Sequence, residues 1–189
     1  MAKVYVFLAN GFEDVEALIP VDVLRRGGVE VVTVSVVEDT QVVETAHRVQ
    51  VVADAMFADC DFSDADLLML PGGMPGASNL NAHEGVRQAL LKQHAAGKRV
   101  AAICAAPLVL GGLGILRDRR ATCYPGFEQT LEGATYTGDL CTVDGNVTTG
   151  EGPAAAFPFA YSLLAQLVDE QTAQQIATGM RYAHLMESR

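Results

Sequence analysis

The chain has 189 residues, half of them hydrophobic and 19% charged, with a formal net charge of −10. That length fits one domain, residues 1–189, with a core large enough to need no disulfide support. The acidity excludes the electrostatic footprint of nucleic-acid or anionic-lipid binding, and no uninterrupted apolar stretch is long enough to span a bilayer.

The opening stretch, MAKVYVFLANGFED, turns acidic where a secretory leader would show small residues, so a cytoplasmic location is expected. Within it, KVYVFLA at 3–9 is a β-rich apolar run broken by Asn10-Gly11. A helix is predicted from about Asp14 to Arg26, closed by Gly27-Gly28, and a second strand over 29–36. When the helix is stepped at about 100° per residue from Val15, Leu18, Ile19 and Val23 define its inward arc. Glu16 falls at the margin of that arc. Asp22 and Arg26 fall inside it, four residues apart, where they can pair with each other. Such a pair on an apolar face marks either a contact with a second chain or the rim of the sheet, and a dimer contact is the reading preferred.

Residues 42–57 suggest an extra strand or β-arm before an acidic loop around Asp59, Asp61 and Asp64. A buried strand follows over 66–70, and then the glycine-rich stretch PGGMPGASNL. No Gly-Lys-Ser/Thr follows, so this is not a Walker loop; it is either a plain sharp turn or a pocket in which Gly72 and Gly73 bring backbone N–H groups close to a ligand. A helix over 84–96 ends at Gly97, a strand runs over 98–103, and a helix is predicted from Ala105 to about Leu116. Asp144-Gly145 between two β-rich runs is a hairpin signal. Two helices close the chain. The first, over 153–168, is apolar nearly all round, with Pro158 near its start; the second runs from about Glu170 to His184, with Asp169 as its cap and Ala173, Ile176, Ala177 and Met180 as its inward stripe. Strands alternating with helices imply an α/β fold in which a mainly parallel sheet is covered on both faces.

Cys104 stands where the strand of KRVAAICAAP becomes a helix. A parallel sheet points that strand end at its ligand crevice, and a helix start there favours thiolate over thiol. A cysteine so placed is either a buried apolar filler or a nucleophile. Gly73 N–H and Ala105 N–H could converge on one developing oxyanion. Glu16, on a helix that opens at the same sheet edge, is either an ordinary first-turn acid or a half-buried carboxyl sharing the thiol's pocket and handing over a proton. Cys60, Cys104, Cys123 and Cys141 are too irregularly spaced for a redox pair or for zinc. No two of His47, His83, His94 and His184 are spaced as ligands on one helical face, so no metal site is indicated.

Four motifs in order, NGFEDVEALIPVDVLRRGG at 10–28, LLMLPGGMPGASNL at 67–80, VAAICAAPLVL at 100–110 and TTGEGPAAAFPFA at 148–160, resemble the ThiJ/PfpI superfamily. The likeness is to the branch of the Parkinson's-disease protein deglycase and its bacterial relatives. The resemblance implies a flavodoxin-like three-layer sandwich, a nucleophile elbow carrying a reactive cysteine, and a homodimer. By position it makes Cys104 the nucleophile or redox-sensing thiol, Glu16 its protonated partner, and Gly73 and Ala105 the oxyanion donors, with Gly72, Glu13 and Tyr124 as further pocket residues.

This chain also departs from that pattern. Tyr124 stands where relatives often carry a histidine, and Ala105 stands where an intracellular-protease branch carries one, so a proteolytic triad is not expected. His47 and Arg48 occupy a position where relatives show an arginine near the dimer contact, and Glu151 replaces a basic residue of some relatives, altering the expected charge preference. The activity implied is cofactor-free, cysteine-dependent glyoxalase or protein-deglycase chemistry on 2-oxoaldehydes such as methylglyoxal and glyoxal, or on early glycation adducts. The alternative is an oxidative-stress sensor or redox-regulated chaperone using the same cysteine, with a structural role and an intracellular peptidase behind it.

Overall fold

A computed structural model describes residues 1–187. Its centre is a seven-stranded sheet built from β1 (Lys3–Leu8), β2 (Glu30–Ser35), β5 (Ala55–Met56), β6 (Leu67–Leu70), β7 (Arg99–Ile103), β10 (Cys141–Asp144) and β11 (Val147–Gly150), in the order β10-β11-β7-β6-β1-β2-β5. Every neighbouring pair is parallel except β10 with β11. Every residue of β6 is buried, because helices cover both faces and leave no polar side for alternation to mark. One cover consists of α1 (Asp14–Arg26), α5 (Ala156–Leu167), α6 (Glu170–Gly179) and α7 (Tyr182–Glu187), which pack in succession on one another. The other consists of α2 (Gly76–Ala82), α3 (Glu84–Ala95) and α4 (Pro107–Gly112). This is the covered parallel sheet expected from the strand and helix alternation, in the flavodoxin-like form that the family resemblance implies.

Several elements differ from the expectation for physical reasons. The arm after β2 is a hairpin, β3 (Val42–Glu44) paired antiparallel with β4 (Gln50–Val52), followed by the edge strand β5. PGGMPGASNL is only partly a turn, since α2 starts inside it at Gly76. The helix after Cys104 is reduced to α4, because residues 105 and 106 form a turn and Gly114 adopts φ +72°. Beyond it two short strands, β8 (Arg120–Ala121) and β9 (Thr135–Tyr136), pair with each other. Asp144 pairs with Val147, so the hairpin turn is Gly145-Asn146, one residue later than its signal. The last predicted helix is broken at Arg181, whose φ of +65° separates α6 from α7.

The inward face of α1 is the clearest correction. Glu16, Ala17, Pro20, Val21, Val23 and Leu24 are buried, whereas Leu18 is 40% exposed and Ile19 only partly covered. The large side chains suggested one arc, but the small ones set the other. α1 packs against α5 so closely that a Cβ on Gly27 would overlap the side chain of Leu164. Asp22 and Arg26 pair at 2.9 Å on the exposed face, not inside the apolar arc.

Candidate active site

At the carboxyl end of β7, Cys104 sits at φ +65°, a left-handed conformation that a residue with a Cβ rarely adopts. Hydrogen bonds on both sides hold it there: its N–H donates to the Gly150 carbonyl on β11 at 2.9 Å, and its own carbonyl accepts from Tyr124 N–H at 2.9 Å. The result is the strand–elbow–helix geometry that presents a nucleophile at the top of a sheet. The side chain is 8% exposed.

The β6–α2 turn supplies the facing wall. Gly72 N–H donates to Glu16 Oε2 at 3.0 Å, and a Cβ at Gly72 would lie 2.6 Å from that oxygen and 2.7 Å from Cys104 Cβ. Glycine is required there because the Glu16 carboxyl, the Cys104 Cβ and the Ile103 carbonyl already fill the space that a side chain would need. The N–H groups of Gly73 and Ala105 lie close enough to the Cys104 sulfur to favour its negative charge, and neither is taken by a backbone carbonyl among the described residues. Glu13 caps α1 by accepting from Glu16 N–H at 2.9 Å, while its own N–H donates to the Gly72 carbonyl. The cap thereby ties the start of α1 to the glycine turn.

Glu16 is fully buried, its Oε1 has no hydrogen-bond partner, and the Cys104 thiol neighbours its carboxyl. Burial pushes this carboxyl up to about 7, hydrogen bonds from Cys104 and Gly72 N–H pull it back only in part, and the negative charge of Glu13 adds to the rise. Burial also pushes the Cys104 thiol up to about 12, the charge of Glu16 adds to this, and the two backbone N–H groups only partly offset it. This direction runs against the thiolate expected from the helix start. Burial and then the charge of Glu16 outweigh the backbone N–H groups of Gly73 and Ala105.

The structure thus brings Cys104, Glu16, Gly72, Gly73, Ala105 and Glu13 together. Tyr124 joins through its backbone, and its ring, 46% exposed, leans on Gly152 rather than on the sulfur. Asp22 and Arg26 stand apart on the outer face of α1. His47, which no spacing signal singled out, arrives on the β3–β4 hairpin and places Nδ1 2.6 Å from Asp14 Oδ2. Glu13, Asp14 and His47 offer one ligand atom each, all within 4.8 Å of one another, the cluster among the described residues that could hold a metal ion. A wider groove of about 690 Å³ between α5, α6 and α7 has no thiol among its lining residues.

A parallel sandwich with a cysteine on its elbow and a buried acid against the sulfur defines a class of cysteine-centred α/β proteins. Within it the chain belongs to the DJ-1/PfpI family, whose model it matches over residues 2–166. It is 38% identical over 177 residues to protein DJ-1 homolog B of Arabidopsis thaliana, covering 93% of this chain but 40% of that protein, so it spans less than half the length of that relative. It is 32% identical over 156 residues to the glutathione-independent glyoxalase DJR-1.2 of Caenorhabditis elegans, covering 82% of each. Among solved structures, a cysteine-to-alanine mutant of the DJ-1 superfamily protein STM1931 from Salmonella typhimurium superposes with a TM-score of 0.91 at 34% identity, covering 95% of this chain and 98% of that one.

Proposed function

We propose that the chain converts 2-oxoaldehydes such as methylglyoxal or glyoxal to 2-hydroxy acids, using Cys104 as nucleophile and Glu16 as proton carrier and needing no cofactor. The observation that carries the reading is a thiol between two free backbone N–H groups and a buried carboxyl titrating near 7. A carboxylate of that basicity suits proton transfer at neutral pH. Sulfur attacks the aldehyde carbon while its proton passes to Glu16, so the thiolate exists only as the S–C bond forms. The new oxyanion lies against Gly73 and Ala105 N–H and is then protonated. Removal of the C1 proton by Glu16 and its return to C2 turn the hemithioacetal into a thioester. C1 is oxidised and C2 reduced within one molecule, and water then releases the hydroxy acid and restores the thiol. The same attack on the hemithioacetals and aminocarbinols of early protein glycation would give deglycase activity. The printed name of the Caenorhabditis elegans relative supports the glyoxalase reading. Replacing Cys104 by Ser is expected to abolish methylglyoxal consumption, read by loss of the aldehyde and appearance of lactate; undiminished turnover rules the scheme out.

The unpartnered Oε1 of Glu16 favours one second reading, oxidation sensing, since a protonated Oε1 could donate to a sulfinate oxygen. Intact mass after mild peroxide is then expected to show two added oxygens on Cys104 ahead of the other cysteines. The working unit in either reading is a homodimer formed through the exposed face of α1, where Val15 and Leu18 accompany the Asp22–Arg26 pair.

A further inference from the structure

Next to the thiol, on the β11 side, lies a cleft of about 210 Å³ lined by Tyr124, Pro125, Glu151, Gly152 and Pro153 among others. One wall is bonded to the backbone of Cys104 directly and the other through the residue before it. Tyr124 N–H donates to the Cys104 carbonyl, and Gly150, the residue before Glu151, accepts from Cys104 N–H, each at 2.9 Å. The cleft is therefore tied through the backbone to the residue that carries the sulfur. Tyr124 is 46% exposed and its side chain makes no hydrogen bond among the described residues. A Cβ at Gly152 would sit 3.0 Å from the ring, so a glycine there is what lets the ring close the cleft.

The unpaired charge in this region is negative. Glu151 forms no ion pair among the described residues, and the nearby Tyr136 is held above its ordinary range by burial and then by Cys123, Glu128 and Glu151. The arginines of this end are engaged with other carboxylates: Arg119 with Asp144 at 3.5 Å and Arg120 with Asp139 at 3.6 Å. An open aromatic face beside an unpaired carboxylate is the combination that holds guanidinium and quaternary ammonium groups, through the ring's quadrupole and a charge contact. The −10 net charge of the chain raises the local concentration of cations around it.

We propose that Tyr124 and Glu151 form a specificity subsite for the non-reacting end of the substrate, selecting aldehydes or early adducts that carry a guanidinium or ammonium group. This rests on the reading of Cys104 as the nucleophile, so the test has one arm that needs no turnover. In that arm, phenyltrimethylammonium is titrated into the full-length protein and followed by calorimetry and amide chemical shifts. It is expected to perturb residues 124 and 151–155, with affinity lowered about tenfold in Glu151→Gln and in Tyr124→Leu. Unchanged affinity in Glu151→Gln, or shifts confined to α6 and α7, overturns the proposal. In the second arm, kcat/KM is compared for 4-(trimethylammonio)phenylglyoxal and its uncharged isostere 4-tert-butylphenylglyoxal. The ratio is expected to be about ten in the native chain, near one in Glu151→Gln, and below one in Glu151→Lys; a ratio near one in the native chain overturns the proposal. Loss of all turnover alongside Glu151-dependent cation binding defeats the reading of Cys104 and leaves the subsite standing.

Discussion

Glu16 is where one residue couples stability to chemistry. Its carboxyl titrates near 7 in the folded chain against 4.5 when unconstrained, so the folded state holds the proton more tightly. The stability this brings is fully present below about 4.5 and is lost as pH rises through 7, until above that a buried charge opposes folding by about 3 kcal/mol. Glu16→Gln keeps an acceptor for Gly72 N–H and a donor toward sulfur, but carries no charge. It is expected to leave stability at pH 4 nearly unchanged and raise it by about 2–3 kcal/mol at pH 8, measured by denaturant melts at the two values. Its turnover should collapse at both. In the native chain kcat/KM should climb between pH 6 and 8 as Glu16 becomes a base, and a flat profile would remove Glu16 from the proton path.

Among the elements, α4 shows how local propensity and packing can oppose each other. Gly111 and Gly112 are adjacent, yet a Cβ at Gly111 would overlap the Thr130 carbonyl, whereas one at Gly112 meets nothing within 4 Å. Gly112→Ala is therefore expected to stabilise the fold by about 0.5 kcal/mol through helix propensity, and Gly111→Ala to destabilise it by about 2 kcal/mol through overpacking, both read from thermal unfolding. The same opposition decides what could be read in advance. The bounds of α1 were legible because Asn10-Gly11 and Gly27-Gly28 punctuate them. Its buried face was not, because Ala17 and Pro20 carry no apolar signal yet permit the close approach to α5. The Cys104 elbow was visible from an apolar strand running straight into Ala-Ala-Pro. The raised thiol was not, since it depends first on burial and then on the charge of Glu16, both of which only the packed pocket sets, and His47 reached Asp14 on an arm whose turn carries no local signature.

At the scale of the whole molecule, the parallel order of the sheet gathers β1, β6, β7 and β11 so that their carboxyl ends share one edge, and the site is assembled from the turns that follow them. The face of α1 opposite that packing leaves Val15 39% and Leu18 40% exposed beside the Asp22–Arg26 pair. If a second copy covers it, Leu18→Glu should shift sedimentation from dimer to monomer and leave far-UV circular dichroism unchanged; a native chain that sediments as a monomer at micromolar concentration would sink the proposed dimer. The β3–β4 hairpin lies beside this face through the pairing of Phe12 with Thr45 and the His47–Asp14 contact, so the hairpin and the start of α1 are mechanically joined.

The left-handed backbone at Cys104 gives the thiol its outlook and leaves the fold under tension. Glycine at that one position would relax it, so a copy released from the need to react could grow sturdier by about 1 kcal/mol simply by discarding its sulfur.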